Sequence, residues 1–439
     1  MKSMFSAVVA ATILFPALAL DFTISADHAD CIYKLGEKTT FTVKATGTEG
    51  EDLSKGTIKW QLNNFGDKKL AEGEVQLPLK DDAFTVTGEQ TEPGFLRLDV
   101  WKPARGAKKT MWGVLYNGKD IVPGTPYPED FNDFWKKAIA QYDREVTEPI
   151  KVTEVAKDAK TTMYELVIPS VEGRHVWGYC SIPNDKSKAP FPVKVNVPGA
   201  GPASWGCDRN ENEITLKVNV HYYDPVVLKA EKHKSPKCLA VQKEEDMAWA
   251  KKYPVDFVRY TVTGIAASRE EYFYYGIILA ANRAVNWVAA RPDVDKTRFR
   301  YSGGSQGGGF GLILTGLNKN ITAASVFVPA ITDLLSSRIS NRESGWPRLI
   351  ESQKAENREA AAKNAPYFCG VNFARQITVP IRFEVGFIDT VCPPHAGHAA
   401  YNVCPSKDKD ILYGIGQGHS VLPENKTKMY KWLQTTQAK

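Results

Sequence analysis

The sequence predicts an α/β fold with a doubly wound sheet, preceded by a small all-β domain, and two patterns support this prediction. The first is a unit of strand, tight turn and helix, in which Phe299 and Tyr301 alternate with polar residues and residues 310–314 form an apolar run. A helical pattern at residues 268–287 precedes this unit and a buried strand at residues 323–328 follows it, as a doubly wound sheet requires. The second pattern is a series of short alternating strands between residues 20 and 122.

The composition is that of a large globular protein, and it limits the partners that the chain can have. Its 439 residues are 43% hydrophobic and 24% charged, which suffices for a substantial core and excludes disorder. The 56 basic and 50 acidic residues give a net charge of only +6, without a basic stripe interleaved with aromatic residues. We therefore expect no nucleic-acid partner, and no run after the N-terminus is long enough to predict a membrane span.

Residues 1–19 have the composition of a secretory signal peptide. Lys2 supplies the positive charge, residues 7–15 form the apolar run, and Ala17 and Ala19 form a small-x-small cleavage site. The protein is therefore expected to be secreted or periplasmic. Export permits disulfides, but the seven cysteines are odd in number, so at least one thiol stays free or pairs between chains. A homo-oligomer is possible.

Residues 20–122 are predicted to form a small immunoglobulin-like β-sandwich. Apolar and polar residues alternate at residues 41–45, 58–62 and 96–100, and turns rich in Gly, Asp or Asn separate these segments. No catalytic constellation falls in this region, so we expect a spacer, an oligomerisation surface or a carbohydrate-contacting module. Three tryptophans could stack on sugar rings, although alternating positions favour the core: Trp60, Trp101 and Trp112.

Residues 123–439 form the predicted α/β domain, and one of its loops is a candidate part of an oxyanion hole. The strand at residues 192–197 ends in Pro198-Gly-Ala-Gly201, where α/β enzymes place one backbone donor of an oxyanion hole. Ala200 is the candidate donor, and a simple strand-terminating turn is the alternative. The Lys- and Glu-rich residues 224–252 are predicted to be a polar insertion that covers or flanks the site.

A tight turn joins the predicted strand around Tyr301 to the apolar helix at residues 310–314. Its sequence is Gly303-Gly-Ser305-Gln-Gly307, which fits the G-x-S-x-G pattern of a nucleophile elbow. The glycines remove Cβ atoms that would clash where the chain turns, so a strained serine can project its Oγ above the sheet. A glycine-rich turn without a catalytic role is the alternative for the pattern alone. The strand before it and the helix after it favour Ser305 as a nucleophile.

A serine nucleophile needs a general base, and the base is a histidine that follows the serine and the acid in this kind of fold. Three histidines come after Ser305 in the chain: His395, His398 and His419. His419 lies between a predicted strand at residues 410–415 and the final helix, which is the loop position of a general base. His395 and His398 lie on a predicted helix, where packing or surface roles are expected.

The histidine in turn needs a carboxylate that holds it in the correct tautomer. Asp389 follows the apolar strand at residues 381–386, so it lies at the carboxyl end of a strand and between Ser305 and His419 in sequence. Asp333 is the rival because it also follows a strand. Asp389 is favoured, since the segment after Asp333 resembles an inserted helical cap.

Several ordered segments carry a family resemblance: Tyr127 to Trp135, Gly303 to Gly309, Asn372-Phe-Ala374 with Pro380, Gly386 to Pro394 with Tyr401-Asn402, and Tyr413 to His419. In these segments the chain resembles the acetyl xylan esterase and cephalosporin-C deacetylase family of α/β-hydrolases. The resemblance implies Ser305 as nucleophile, Asp389 as orienting acid and His419 as base. It also implies an oxyanion hole made by the backbone N–H groups of Ala200 and Gln306, without a metal or organic cofactor.

The sequence departs from the family pattern at three places near the predicted site. The family usually has Arg-Gly-Gln where this chain has His221-Tyr-Tyr-Asp224, so the loop that this motif stabilises is expected to be built differently. It usually has His-Gly where this chain has Pro198-Gly199, and Glu where this chain has Ser420.

The leading hypothesis is an exported serine esterase that removes acetyl groups from polysaccharides or oligosaccharides through an acyl-enzyme. A feruloyl-type esterase or a serine peptidase on the same fold is the second hypothesis, and a non-catalytic carbohydrate-binding protein is the third. Phe310, Phe387, Ile388 and the rigid segment Cys392-Pro-Pro394 are expected to leave little room around the acyl carbon, which favours acetyl over longer acyl groups.

Overall fold

The computed structural model describes residues 21–46, 54–66, 69–104, 107–225 and 259–437. The predicted signal peptide and nearly all of the predicted polar insertion lie outside these residues. The α-helices within them are α1 (Phe131–Glu145), α2 (Phe273–Ala289), α3 (Gln306–Leu317), α4 (Ser336–Ile339), α5 (Arg358–Asn364), α6 (Gly370–Ala374), α7 (Pro394–Val403) and α8 (Pro423–Thr435).

The described strands form three sheets. Strands of the N-terminal region are β1 (Asp21–Ala26), β2 (Ile32–Tyr33), β3 (Thr39–Thr46), β4 (Thr57–Asn63), β5 (Lys69–Gln76), β6 (Ala83–Gly88), β7 (Gly94–Trp101) and β8 (Thr110–Tyr116). Strands of the large sheet are β9 (Lys151–Lys157), β10 (Thr161–Pro169), β11 (His175–Pro183), β12 (Phe191–Asn196), β13 (Ile214–Val218), β14 (Val294–Gly304), β15 (Ala323–Phe327), β16 (Ile381–Gly386) and β17 (Lys409–Gly414).

The large sheet has the strand order β17-β16-β15-β14-β12-β13-β11-β10-β9. Neighbours from β13 to β17 are parallel, and β9, β10 and β11 add an antiparallel edge. Central strands such as β15 are buried along their whole length, and α2 and α3 are buried over most of their surface. Such near-continuous apolar runs are what a parallel sheet covered on both faces needs. The predicted α/β-hydrolase architecture is confirmed.

Parallel strands bring the loops at their carboxyl ends to one edge of the sheet. The loops after β12, β14, β16 and β17 carry Ala200, Ser305, Asp389 and His419. Because β12, β14, β15, β16 and β17 are consecutive neighbours, these four residues are gathered on one side of the molecule.

The N-terminal β-rich region contains two sheets, β1-β3-β6 and β2-β8-β7-β4-β5. Their inner faces share one core, to which Phe41 and Val43 contribute from the first sheet and Leu96 and Leu98 from the second. Two sheets that bury alternating residues against each other make a β-sandwich, as predicted. Of the tryptophans, Trp60 and Trp112 are half-buried against this core, and the ring of Trp101 lies 4.5 Å from the Lys109 ammonium.

One detail, the start of α2, differs from the sequence-based expectations. The helix expected from Ser268 begins at Phe273, although the Ser268 hydroxyl accepts the Glu271 N–H at 3.0 Å. The intervening residues form turns because the Phe273 N–H is bonded to the Thr263 carbonyl, which keeps the chain folded back on itself. The six cysteines within the described ranges are all free thiols, and the seventh, Cys238, lies outside them.

Candidate active site

Ser305 lies between the end of β14 and the start of α3. Its backbone has φ 56° and ψ −124°, a conformation that costs energy in any residue other than glycine. The Ser305 N–H donates to the Phe327 carbonyl at 3.0 Å. Its own carbonyl accepts the N–H groups of Gly309 at 3.0 Å and Ala330 at 2.9 Å. The strained turn is thus held by backbone hydrogen bonds on both sides.

The glycines of the G-x-S-x-G pattern are required by close packing. A Cβ atom at Gly303 would lie 2.6 Å from the Gly307 carbonyl oxygen, and one at Gly307 would overlap the Val197 carbonyl oxygen. The Tyr301 hydroxyl also donates to the Gly307 carbonyl at 2.5 Å. Side chains at these two positions would force the elbow apart.

The structure brings Ser305, His419 and Asp389 into one chain of hydrogen bonds. His419 Nε2 lies 2.9 Å from Ser305 Oγ, and His419 Nδ1 lies 2.8 Å from Asp389 Oδ2. Asp389 is fully buried, whereas the His419 side chain is 26% exposed. When the carboxylate is ionised, Nδ1 donates to it and the neutral ring presents Nε2 as an acceptor to the serine hydroxyl. This is the arrangement in which a histidine can take the serine proton.

The second oxygen of Asp389 is bonded to the backbone of its own loop. Oδ1 accepts the N–H groups of Val391 at 2.8 Å and Cys392 at 2.9 Å. These two bonds fix the carboxylate independently of its contact with His419.

With the Cys392 thiol, Asp389 and His419 place potential metal-ligand atoms within 4.8 Å of one another. The carboxylate oxygens and Nδ1 are nevertheless already paired without an ion.

The rival acid, Asp333, is used elsewhere. It is buried, and its two oxygens accept the N–H groups of Gly124 at 3.1 Å and Thr125 at 2.7 Å, so it anchors the segment that joins the β-rich region to the large sheet. His395 and His398 lie on α7 and are buried. Their Nε2 atoms lie 2.9 Å from the Glu343 carbonyl and 3.0 Å from the Tyr413 hydroxyl.

Gln306 is the first residue of α3, so its backbone N–H has no acceptor within the helix and points from the helix N-terminus. Its side chain is fully buried and makes bonds that sequence reasoning missed. Oε1 accepts the hydroxyls of Tyr260 and Tyr274, both at 2.6 Å. Nε2 donates to the carbonyls of Pro198 at 3.3 Å and Gly199 at 3.2 Å. The elbow and the loop after β12 are thereby tied together.

The same loop is fixed from its other side by two residues that follow β13. His221 Nε2 donates to the Gly201 carbonyl at 2.6 Å, and the Tyr223 hydroxyl accepts the Ala203 N–H at 2.8 Å. Burial lowers the pKa of His221 to about 4, so the ring is neutral near pH 7. Ala200 lies exposed in the middle of this anchored loop. The loop that carries the proposed oxyanion donor is thus held on both sides by buried side chains.

The two aromatic rings expected to narrow the acyl pocket lie in hydrophobic cores instead. Phe310 is fully buried on α3, with its ring 5.3 Å from that of Tyr274. Phe387 is fully buried in the core of the N-terminal sandwich, 5.1 Å from the ring of Phe95. Neither ring exposes surface to a substrate, because each completes a hydrophobic core. The expectation that these rings limit the acyl group is therefore wrong.

The family model for acetyl xylan esterase (AXE1) matches residues 115–436. The acetyl esterase Axe7A of Xylanibacter ruminicola is 26% identical over 462 aligned positions, which cover 99% of this chain and 96% of the relative. Acetyl xylan esterase from Paenibacillus sp. R4 superposes with a TM-score of 0.59 at 22% identity, over 73% of this chain and 98% of that one. Acetyl xylan esterase 1 from Thermoanaerobacterium sp. JW/SL YS485 gives 0.57 at 19% identity, over 72% and 96%.

These two solved structures support the α/β-hydrolase fold, and the family match extends over most of the chain, including every residue of the candidate site. No helix among the described residues is both long and apolar enough to cross a membrane. The chain belongs to the acetyl xylan esterase family and is a carboxylic ester hydrolase.

Proposed function

We propose that this protein is an exported serine esterase that removes acetyl groups from acetylated carbohydrates through an acyl-enzyme on Ser305. The observation that supports the mechanism best is the continuous series of hydrogen bonds from Ser305 Oγ through His419 to the buried Asp389. Acetylated xylan or its oligosaccharides are the proposed substrates, because the family and its named relatives act on acetyl esters.

In the first half-reaction, Ser305 Oγ attacks the acetyl carbonyl carbon while His419 Nε2 takes the hydroxyl proton. The carbonyl oxygen becomes an oxyanion that the backbone N–H groups of Gln306 and Ala200 would stabilise. Collapse of this intermediate breaks the bond between the acetyl carbon and the sugar oxygen. His419 returns its proton to that oxygen, the sugar leaves as an alcohol, and the acetyl group stays on Ser305.

In the second half-reaction, water attacks the acetyl-serine and His419 again accepts a proton. The acetyl group leaves as acetate, and Ser305 recovers its hydroxyl proton from His419. Asp389 holds the His419 ring in position and stabilises the imidazolium that forms in each half-reaction. All the groups required for these steps are side chains and backbone amides of this chain.

The test of the roles is a set of single and double substitutions assayed on a chromogenic acetyl ester. Ser305→Ala and His419→Ala should each lower kcat by several orders of magnitude, and Asp389→Asn should lower it by on the order of 10⁴-fold. The Ser305→Ala, His419→Ala double variant should be no slower than either single variant, since these groups act as a unit. Additive losses would contradict the proposed pairing.

The test of the substrate class is the dependence of kcat/KM on the acyl group. We expect acetyl esters to be preferred over butyryl esters by at least tenfold, because the family and its named relative are acetyl esterases and each methylene that a pocket excludes is worth roughly 1–3 kcal/mol. Equal efficiency on butyryl or feruloyl esters would favour the feruloyl-type alternative. Cleavage of a peptide amide would favour a peptidase, and inactivity on all esters would favour a carbohydrate-binding protein.

A further inference from the structure

The N-terminal β-sandwich packs directly against the loops that carry Asp389 and His419. The family model begins at residue 115, so most of this sandwich lies outside the part of the chain that the family model matches. Its last strand, β8, nevertheless contacts both loops at two adjacent residues, Trp112 and Gly113. The sandwich is therefore in contact with the loops that carry the proposed acid and base.

Gly113 is buried and faces the loop of the catalytic acid. A Cβ atom at Gly113 would overlap the Phe387 carbonyl oxygen and lie 3.3 Å from Ile388 Cγ2. Phe387 and Ile388 immediately precede Asp389, and the Phe387 ring is buried in the core of the sandwich against Phe95. The acid loop is therefore held by the sandwich through both its backbone and a side chain.

Trp112 faces the loop of the catalytic base. A Cβ atom at Gly416 would lie 2.9 Å from the Trp112 ring, and Gly416 has a φ of +69°, three residues before His419. Tyr413 and Ile415, on the same segment, also pack against the core of the sandwich. The approach of the indole ring thus fixes the path of the chain toward His419.

The two loops are also bonded to each other, so a displacement of one is transmitted to the other. The Phe387 N–H donates to the Gly414 carbonyl and the Ile388 N–H to the Gln417 carbonyl, both at 3.0 Å. The Asp389 N–H donates to the Gly386 carbonyl at 3.1 Å. The sandwich, the acid loop and the base loop form one packed unit on which the 2.8 Å contact between His419 and Asp389 depends.

We propose that Trp112 and Gly113 are positioning residues, through which the N-terminal sandwich sets the relative position of Asp389 and His419. The proposal rests on the catalytic roles given above for these two residues. Neither Trp112 nor Gly113 touches the reacting atoms. Their effect is on the alignment of the acid and the base, so it falls on kcat and not on the affinity for a small substrate.

The first test compares two glycine substitutions in the sandwich. In Gly113→Ala the new methyl group must displace the Phe387 carbonyl, and a shift of about 1 Å in a catalytic group can lower the rate 10²-fold. In the matched control Gly88→Ala, the new methyl group would lie 2.9 Å from Leu62 and Leu96 side chains, inside the sandwich and away from both loops. We expect kcat on a chromogenic acetyl ester to fall on the order of 10²-fold for Gly113→Ala, with KM unchanged, and to stay unchanged for Gly88→Ala.

The second test uses Trp112 and does not depend on the folding of Gly113→Ala. Trp112→Ala should lower both kcat and the rate at which a fluorophosphonate labels Ser305, and Trp112→Phe should restore most of each because a ring again faces Gly416. Equal losses in the alanine and phenylalanine variants, or a change in KM alone, would overturn the proposal.

The third test separates this proposal from the proposed function. In the background of Asp389→Asn the acid is already lost, so Gly113→Ala should lower kcat by less than tenfold more. The same factor in both backgrounds would overturn the positioning role while leaving the catalytic roles intact. If Asp389→Asn itself leaves kcat near the wild-type value, the proposed function fails instead.

Discussion

The buried side chain of Gln306 offers a quantitative prediction about the stability of the elbow. Gln306→Met keeps the length and approximate volume of the side chain but removes four hydrogen bonds, while the backbone N–H of the residue remains. The Tyr260 and Tyr274 hydroxyls, both at 2.6 Å in the native protein, lose their shared acceptor. The two hydroxyls can still bond to each other, which leaves one buried donor without an acceptor. An unpaired buried polar group costs about 1–3 kcal/mol, so we expect a loss of about that size in unfolding free energy.

The same substitution should also lower activity, because the Pro198 and Gly199 carbonyls lose their link to the elbow. Ala200 follows directly, and loss of one well-placed oxyanion donor costs 10²–10³-fold in kcat. Urea denaturation would measure the stability, and steady-state kinetics on an acetyl ester would measure kcat and KM. Tyr274→Phe is the matched control, since it leaves Gln306 bonded to Tyr260 and to both carbonyls.

We expect Tyr274→Phe to cost less than half of the free energy that Gln306→Met costs, and to leave kcat within a few-fold of the wild-type value. A Gln306→Met protein with unchanged unfolding free energy and unchanged kcat would refute the reasoning. In that case the hydrogen bonds of this side chain would not connect the elbow to the loop.

Three further predictions concern the oxyanion donor, a buried glutamate and the buried histidines. Ala200→Pro removes the proposed oxyanion donor and should raise the barrier by on the order of 3 kcal/mol, whereas Ala200→Gly should be mild; full activity in a folded proline variant would place the donor elsewhere. Burial raises the pKa of Glu384 to about 7, above the unfolded value near 4.5. Between these two pH values the folded state binds a proton that the unfolded state has lost, so the unfolding free energy falls as the pH rises. Glu384→Gln should abolish that fall and stabilise the protein at pH 8 by up to about 3 kcal/mol in urea denaturation, and an unchanged pH profile would contradict the burial argument. Burial lowers the pKa of His221 to about 4, of His395 to about 3 and of His398 to about 4, so stability present above pH 6.5 should be lost as the pH falls toward 4. His398→Gln should reduce the loss of stability between pH 6.5 and pH 4, measured as the melting temperature at each pH. An equally large loss in this variant would contradict the contribution of His398.

The elements around Ser305 could be predicted because local sequence determines them. A G-x-S-x-G turn between an alternating strand and an apolar run has few structural solutions, and the glycines are needed wherever backbone passes within contact distance of the turn. The order of acid and base along the chain then left few candidates. Chain order and strand ends thus pointed to Asp389 and His419, which the structure places in hydrogen-bond contact.

The remaining features depend on contacts between distant parts of the chain. The Gln306 side chain meets Tyr260, 46 residues away, and the Pro198 carbonyl, 108 residues away, and no local pattern signals such partners. The sequence also does not show which face of a helix meets the core, so it does not reveal that the Phe310 ring is buried away from the acyl pocket. The bond between His221 and the Gly201 carbonyl likewise joins residues 20 positions apart that share no local pattern.

The contact between the sandwich and the site could not be predicted for the same reason. The sequence around Trp112 and Gly113 has the alternation of an ordinary strand. Only the structure shows that Phe387, from the loop after β16, is buried in the core of the N-terminal sandwich. A glycine in a strand is a signal of close backbone approach, but the sequence does not identify the partner.

The most direct test of the central claim is to identify the nucleophilic residue with a covalent probe. The purified protein would be treated with a fluorophosphonate, digested and mapped by mass spectrometry, with His419→Ala and Ser305→Ala treated in parallel. We predict that the wild-type label lies on Ser305 alone, that His419→Ala labels far more slowly and that Ser305→Ala is not labelled. A label on another residue, or continued labelling of the Ser305→Ala protein, would contradict the account.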